Sequence, residues 1–149
     1  MTIRSYMSGK AVRFAESELA PIHLAEIDGR NYYAFAEKQD IPSGGKIADG
    51  DIELIYKHSQ IIRQVKEEAG RRILNIAPQW KQQNALADIY LLGRLEKLDE
   101  KQQERLQKAE QILIKIQDIR LRSDAIEASL INGVFVDYFT EQAWEADHA

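Results

Sequence analysis

"KQQERLQKAEQILIKIQDIRLRSDAIEASL" (residues 101–130) contains the longest regular pattern in the chain. Apolar residues recur alternately every three and four positions, which is the spacing of a coiled-coil seam. The pattern predicts one long helix that begins after Asp99, a candidate cap, and stops at Asn132-Gly133, because glycine readily ends a helix in the left-handed conformation. The seam positions are Ala109, Ile112, Ile116, Ile119, Ser123, Ile126 and Leu130.

Two further amphipathic helices are predicted before this one. The first begins at a cap on Asp49 or Asp51 and ends at Ala77, because apolar residues recur by threes and fours between them once His58 is given a place in the stripe. Pro78 begins the second, which extends to Leu98, since proline is tolerated in the first turn of a helix but disrupts its interior. The apolar positions are Ile55, Ile62, Val65, Ala69, Ile73 and Ile76 in the first helix and Ala85, Ile89, Leu92 and Leu95 in the second.

The N-terminal part of the chain is predicted to be extended. "AVRFAE" (11–16) alternates apolar and polar residues, and "IHLAEIDGRNYYAFAE" (22–37) places Asp28-Gly29 between two strand-like runs, which is a hairpin signal. A sheet of two or three antiparallel strands is marginal alone, so it must pack on the helices.

These patterns predict an α+β fold that is mainly α. A small N-terminal antiparallel hairpin or sheet is followed by three amphipathic helices, which form a helical hairpin or a coiled-coil bundle, and by an acidic aromatic tail. The expected divisions are a β-rich attachment region (1–47), a helical region (48–132) and the tail (133–149).

The helical seams could close within one chain, by a turn near Lys97-Asp99, or between chains. Isoleucine at successive seam positions favours trimers or tetramers in parallel coiled coils, so a homo-oligomer, with a trimer favoured, is the expectation. The residues predicted to form an oligomer seam are Ile55, Ile62, Val65, Ala69, Ile112, Ile116, Ile119, Ile126 and Leu130.

Composition narrows the function. The net charge of -4 argues against a nucleic-acid partner, and the chain has no cysteine for a disulfide or a thiolate zinc site. No apolar run is long enough to cross a membrane and no leader pattern is present, so the expectation is a protein without a membrane partner that is made in the cytoplasm. The tail after Gly133 has four carboxylates and no lysine or arginine, and it carries aromatics expected to bind a protein partner. These aromatics are Phe135, Tyr138, Phe139 and Trp144.

Catalytic chemistry is not indicated. "SGK" (8–10) lacks the first glycine of a phosphate loop and is followed by Ala11, and the histidines lack the spacing of a metal pair. We therefore expect no enzyme activity, no cofactor and no metal. A basic cluster in the first helix leaves a phosphate-binding face as an alternative. It consists of Arg63, Lys66, Arg71 and Arg72.

"APQWKQQNALA" (77–87) is predicted to form a structural corner between two helices. Trp80 is large enough to bury against the preceding Ile73 and Ile76 or against the following helix. Asn84 is expected to reach a backbone group at the bend. Pro78, Trp80 and Asn84 are therefore the predicted corner residues.

A resemblance extends this interpretation. "RRILNIAPQWKQQNALA" (71–87), "IQDIRLRSDAIEASL" (116–130) and "VDYFTEQAWEAD" (136–147) resemble segments of small proteins of tailed bacteriophages and prophages that are associated with tail fibres. Gln83 departs from the pattern, where a basic residue is expected. The resemblance covers roughly residues 60–147 and implies a structural tail component, located in the virion tail, with other tail or fibre proteins as partners. A tail-fibre assembly chaperone and a phosphate-binding regulatory protein are the alternatives.

Overall fold

The computed structural model describes residues 1–14 and 20–145. It is mainly helical with a small antiparallel sheet, so the predicted fold class is confirmed. The sheet has four strands in the order β2-β3-β1-β4. The elements are β1 (Thr2–Met7), β2 (Ile22–Ile27), β3 (Arg30–Phe35), β4 (Lys46–Ile47), α1 (Ile52–His58), α2 (Gln60–Ile76), α3 (Gln79–Leu92) and α4 (Glu100–Ile131).

The predicted hairpin at Asp28-Gly29 joins β2 to β3. Both turn residues have positive φ, 49° and 73°, as the tight turn between twisted strands requires. The prediction of a strand at residues 11–16 is wrong for residues 11–14, which are irregular. Residues 15 and 16 lie outside the described part of the chain. The sheet is completed instead by β1, which pairs with β3 and places Ile3 opposite Ala34.

Four helices replace the three that were predicted. Ser59 divides the first predicted helix because its backbone is extended, and its hydroxyl accepts a hydrogen bond from the Ile62 amide at 3.3 Å to cap α2. The helix expected to reach Leu98 ends at Leu92, with Gly93 as its C-cap. Asp99 caps α4 as predicted, through a reciprocal capping box with Gln102.

The end of α4 is the predicted one. The Val134 amide donates to the Ser129 carbonyl at 2.9 Å and the Gly133 amide donates to the Leu130 carbonyl at 3.0 Å, which is a Schellman motif. Gly133 has φ 78°, and a Cβ there would lie 2.4 Å from backbone atoms of Phe35 and Ala36. Glycine is therefore needed both for the turn and for the close approach of α4 to the sheet.

One hydrophobic core joins the sheet to the helices. One face of the sheet packs on α1, α2 and the C-terminal part of α4. The Asp49 carboxylate accepts a hydrogen bond from the Ile3 amide at 2.9 Å, which ties the segment before α1 to β1. Most of the predicted seam lies in this core, so those side chains pack within one chain. The buried seam residues are Ile55, Ile62, Val65, Ala69, Ile116, Ile126 and Leu130, and Ile112 and Ile119 are partly buried.

α3 and the first half of α4 lie outside this core. We call them the arm (residues 79–92 and 100–115). The two helices pack on each other through the small buried residues Ala85 and Ala109, with Leu92 also buried. An ion pair between Asp88 and Arg105 links them at the surface. The arm is thus a two-helix unit with a thin apolar interior.

Candidate interaction surfaces

The C-terminal segment folds back onto the helices. We call residues 137–145 the clasp. The Trp144 indole N–H donates to the Tyr138 carbonyl at 2.7 Å, and the Tyr138 hydroxyl donates to Gln64 of α2 at 2.6 Å. Both aromatic rings are buried in the core. Two of the four aromatics expected to bind a partner are therefore used within the chain.

A charged network holds the clasp to α2. The buried Arg72 guanidinium donates to Glu68 at 2.9 Å and to Glu141 of the clasp at 3.0 Å, and it also lies over the Trp144 ring. Arg71 donates twice to the same Glu68 carboxylate, at 2.9 and 2.6 Å. The hydrogen bonds from Arg71, with the charges of both arginines, lower the pKa of Glu68 against the opposing effect of burial.

The basic cluster predicted on this helix is largely compensated by carboxylates. Arg71 and Arg72 are bound to Glu68, and Arg63 lies 3.9 Å from Glu67. Lys66 is exposed. A phosphate at this face would have to compete with the carboxylates, so the geometry does not favour the alternative of a phosphate-binding regulator that uses these four residues.

The predicted corner is built differently from the expectation. Pro78 precedes α3 as its N-cap residue. Trp80 does not staple the bend, because its side chain is 60% exposed, and Asn84 is also exposed. The bend is instead held by the side-chain amide of Gln82, which donates a hydrogen bond to the Ala77 carbonyl at 2.8 Å. In the sequence, this hydrogen bond could have been predicted from the polar Gln82 in the first turn of α3. Backbone groups at the bend lack partners within a helix, so a nearby polar side chain can bond to them.

The arm presents apolar side chains to solvent. Apolar side chains project in several directions from α3, and α4, which packs on it, leaves most of them uncovered. Leu86 of α3 and Ile114 of α4, both exposed, line a shallow groove of 350 Å³ between the two helices. The large exposed apolar side chains of the arm are Trp80, Leu86, Tyr90, Leu91 and Ile114.

The other two predicted docking aromatics are exposed. Phe135 and Phe139 are each 66% accessible to solvent. Phe135 lies with Val134 on the rim of an apolar groove of 820 Å³, which β2 and α2 complete through Ile22 and Ile61. These two rings remain available to a partner, whereas Tyr138 and Trp144 do not.

In the described part of the chain, no helix is both long and apolar enough to cross a membrane. Residues 1–14 and 20–145 also contain no group of three side chains placed to hold a metal ion. Comparison of the sequence and structure with protein-family models, curated proteins and solved structures gives no match.

Proposed function

We propose that this protein is a structural and interaction component of a bacteriophage tail, associated with the tail fibre or the baseplate, that self-associates through the arm. The observation that carries the proposal is the set of large apolar side chains that α3 exposes, which are Trp80, Leu86, Tyr90 and Leu91. α4 packs on α3 but leaves these four side chains exposed. The remaining apolar surface requires a partner.

A second copy of the chain is the partner that this surface fits. With about 100° between successive residues of a helix, Trp80 and Leu91 project to one side of α3, whereas Leu86 and Tyr90 project about 120° away from them. A two-fold dimer would cover one of these sides and leave the other exposed. A closed ring with head-to-tail contacts covers both, and a trimer is the smallest such ring.

The tail assignment is supported by the resemblance carried by residues 71–87, 116–130 and 136–147. Trp80 and Lys81, which belong to the first of these segments, are exposed on the arm. The exposed Phe135 and Phe139 would then contact a neighbouring tail or fibre protein. The protein would be made in the host cytoplasm and located in the virion tail, without a cofactor, a nucleic-acid partner or a membrane partner.

Mass spectrometry of purified phage particles tests this location. We expect peptides of the chain in the finished particle, in a constant ratio to the tail proteins and in a multiple of three copies per tail. Particles from a strain carrying Leu86→Glu and Tyr90→Glu should contain less of it, while an Ile47→Glu control should not differ from the wild type. Presence during assembly but absence from finished particles would replace the structural role with that of an assembly chaperone.

A further inference from the structure

A second surface, separate from the arm, lies beside the sheet. A groove of 650 Å³ runs between the segment that follows β1 and the loop that precedes β4. Its lining includes four cationic side chains and, within the described residues, no carboxylate. The cations are Lys10, Arg13, Arg30 and Lys46.

Two similar loops bring the lysines to this groove. Ser8-Gly9-Lys10 follows β1, and Ser43-Gly44-Gly45-Lys46 leads into β4. Gly9 and Gly44 have φ 82° and 86°, so each loop turns sharply just before its lysine. The pairing of β1 with β4, which places Ser5 opposite Lys46, holds the two loops together although they are distant in sequence.

The wall of the groove is held by Tyr6. Its hydroxyl donates to the Pro42 carbonyl at 2.7 Å. Gly45 lies so close to the ring that a Cβ there would be 2.7 Å from the Tyr6 ζ-carbon. The loop before β4 is therefore fixed against β1, and the groove exists before any ligand binds.

Arg30 is held by neutral groups. Its guanidinium donates to the Ser5 hydroxyl at 3.0 Å and to the Ser5 carbonyl at 2.9 Å, and Ser5 is buried. By contrast, Arg71 and Arg72 are held by the Glu68 carboxylate. Because neither acceptor on Ser5 carries a charge, Arg30 is oriented without being neutralised. Ser5 occupies the Nε and Nη2 donors on one edge of the guanidinium, so the edge formed by Nη1 and the second Nη2 hydrogen is the one suited to paired hydrogen bonds with an oxyanion.

From these features we infer that the groove is a binding site for a phosphate-class ligand that carries more than one negative charge. Four positive side chains around one groove repel one another, and a polyanion relieves this repulsion. The groove falls in the range of about 300 to 1,000 Å³ that is typical of small-molecule sites, so it can hold more than one phosphate group. The phosphates could belong to a free small molecule or to a phosphodiester polymer.

Isothermal titration calorimetry at constant ionic strength tests the site with inorganic phosphate, tripolyphosphate and a poly(glycerol phosphate) polymer as probes. We expect saturable binding of tripolyphosphate or of the polymer, and weaker binding of inorganic phosphate. Tighter binding of tripolyphosphate would identify a free small molecule as the source of the phosphates, and tighter binding of the polymer would identify a phosphodiester polymer. Lys10→Gln with Lys46→Gln should weaken binding by about tenfold or more, because hydrogen bonds to charged groups are the strong ones.

The matched control removes two exposed lysines of the helices, by Lys57→Gln with Lys101→Gln. It should leave the affinity unchanged, and thermal melts should show that both double variants fold. Arg30→Gln should weaken binding as well. No saturable binding of any probe, or an equal loss in the groove and control variants, would overturn the inference, since the latter outcome indicates attraction to overall charge only.

Discussion

The Arg72 guanidinium carbon lies 5.2 Å from the centroid of the Trp144 ring. This contact joins α2 to the end of the clasp, and Glu141 extends it with an ion pair to the same guanidinium. Cation–π contacts are strongest when the groups are removed from water, as they are here because both residues are buried. The acidic C-terminal segment up to residue 145 is therefore part of the folded body.

Trp144→Ala tests the clasp. The buried indole fills the space between α2 and α4, so we expect a loss of about 3 to 5 kcal/mol in the free energy of unfolding, measured by urea denaturation. Phe139→Ala is the matched control, because its ring lies in the same segment but is exposed. It should change the free energy of unfolding by less than about 1.5 kcal/mol, because its one ring contact within the described residues is with Tyr138, at 4.7 Å between centroids. Equal losses of unfolding free energy in the two variants would contradict the packing of the clasp on the helices.

At the corner between α2 and α3, we expect substitutions of Trp80 and Gln82 to differ in their effect on stability. Trp80→Ala should leave the stability of a single chain nearly unchanged because the ring is exposed. Gln82→Ala should lower it by about 0.5 to 1.5 kcal/mol, since it removes the hydrogen bond to Ala77 at the bend. Urea denaturation at a concentration low enough for the chain to be monomeric gives both values. The opposite order would restore Trp80 as the corner residue.

Gly133→Ala should be more damaging than a substitution at another glycine of positive φ. Gly29→Ala is the control, because Gly29 has φ 73° but open space around it, and the left-handed conformation alone costs about 1 to 2 kcal/mol. At Gly133 the added methyl also meets the backbone of Phe35 and Ala36. We expect thermal unfolding to show a further loss of about 1 to 3 kcal/mol, and equal losses would rule out the close approach.

Acid should weaken the network around Glu68. Its pKa is lowered in the folded protein, first by hydrogen bonds from Arg71, so its contribution to stability is present above the ordinary glutamate pKa of about 4.3 and is lost as the pH falls through the lowered value. Urea denaturation from pH 6 to pH 3 should therefore show a steeper loss for the wild type than for Glu68→Gln. Glu67→Gln, on the exposed side of α2, should follow the wild type. Parallel curves for the wild type and Glu68→Gln would contradict this role.

The elements that the sequence predicted correctly are those that depend on neighbouring residues. Asp28-Gly29, Asp99 with Gln102, and Asn132-Gly133 each determine a turn or a helix end through groups a few residues apart. The break at Ser59 was missed because the apolar stripe continues across it once His58 is given a place there. The end of α3 at Leu92 was missed because Leu95 prolongs the same spacing beyond Gly93.

The interaction surfaces were harder to predict because they depend on contacts between distant residues. Trp80 and Trp144 both precede a charged residue, yet only Trp144 meets a buried arginine from another helix. The side chains of the basic groove come from three separate segments, and the strand order places these segments side by side. No spacing in the sequence indicates that assembly.

Light scattering of the purified chain at rising concentration measures self-association through the arm. We expect a mass about three times the 17.1 kDa of one chain. Trp80→Glu with Leu91→Glu should give a monomer, and so should Leu86→Glu with Tyr90→Glu, while Ile47→Glu on β4, which is 74% exposed, should still form the trimer.

An equal mixture of the two monomeric arm variants is the decisive sample. In a head-to-tail ring each variant retains the side of α3 that the other has lost, so the mixture should form a dimer through one intact contact. A wild-type chain that stays at 17.1 kDa at high concentration would contradict self-association through the arm.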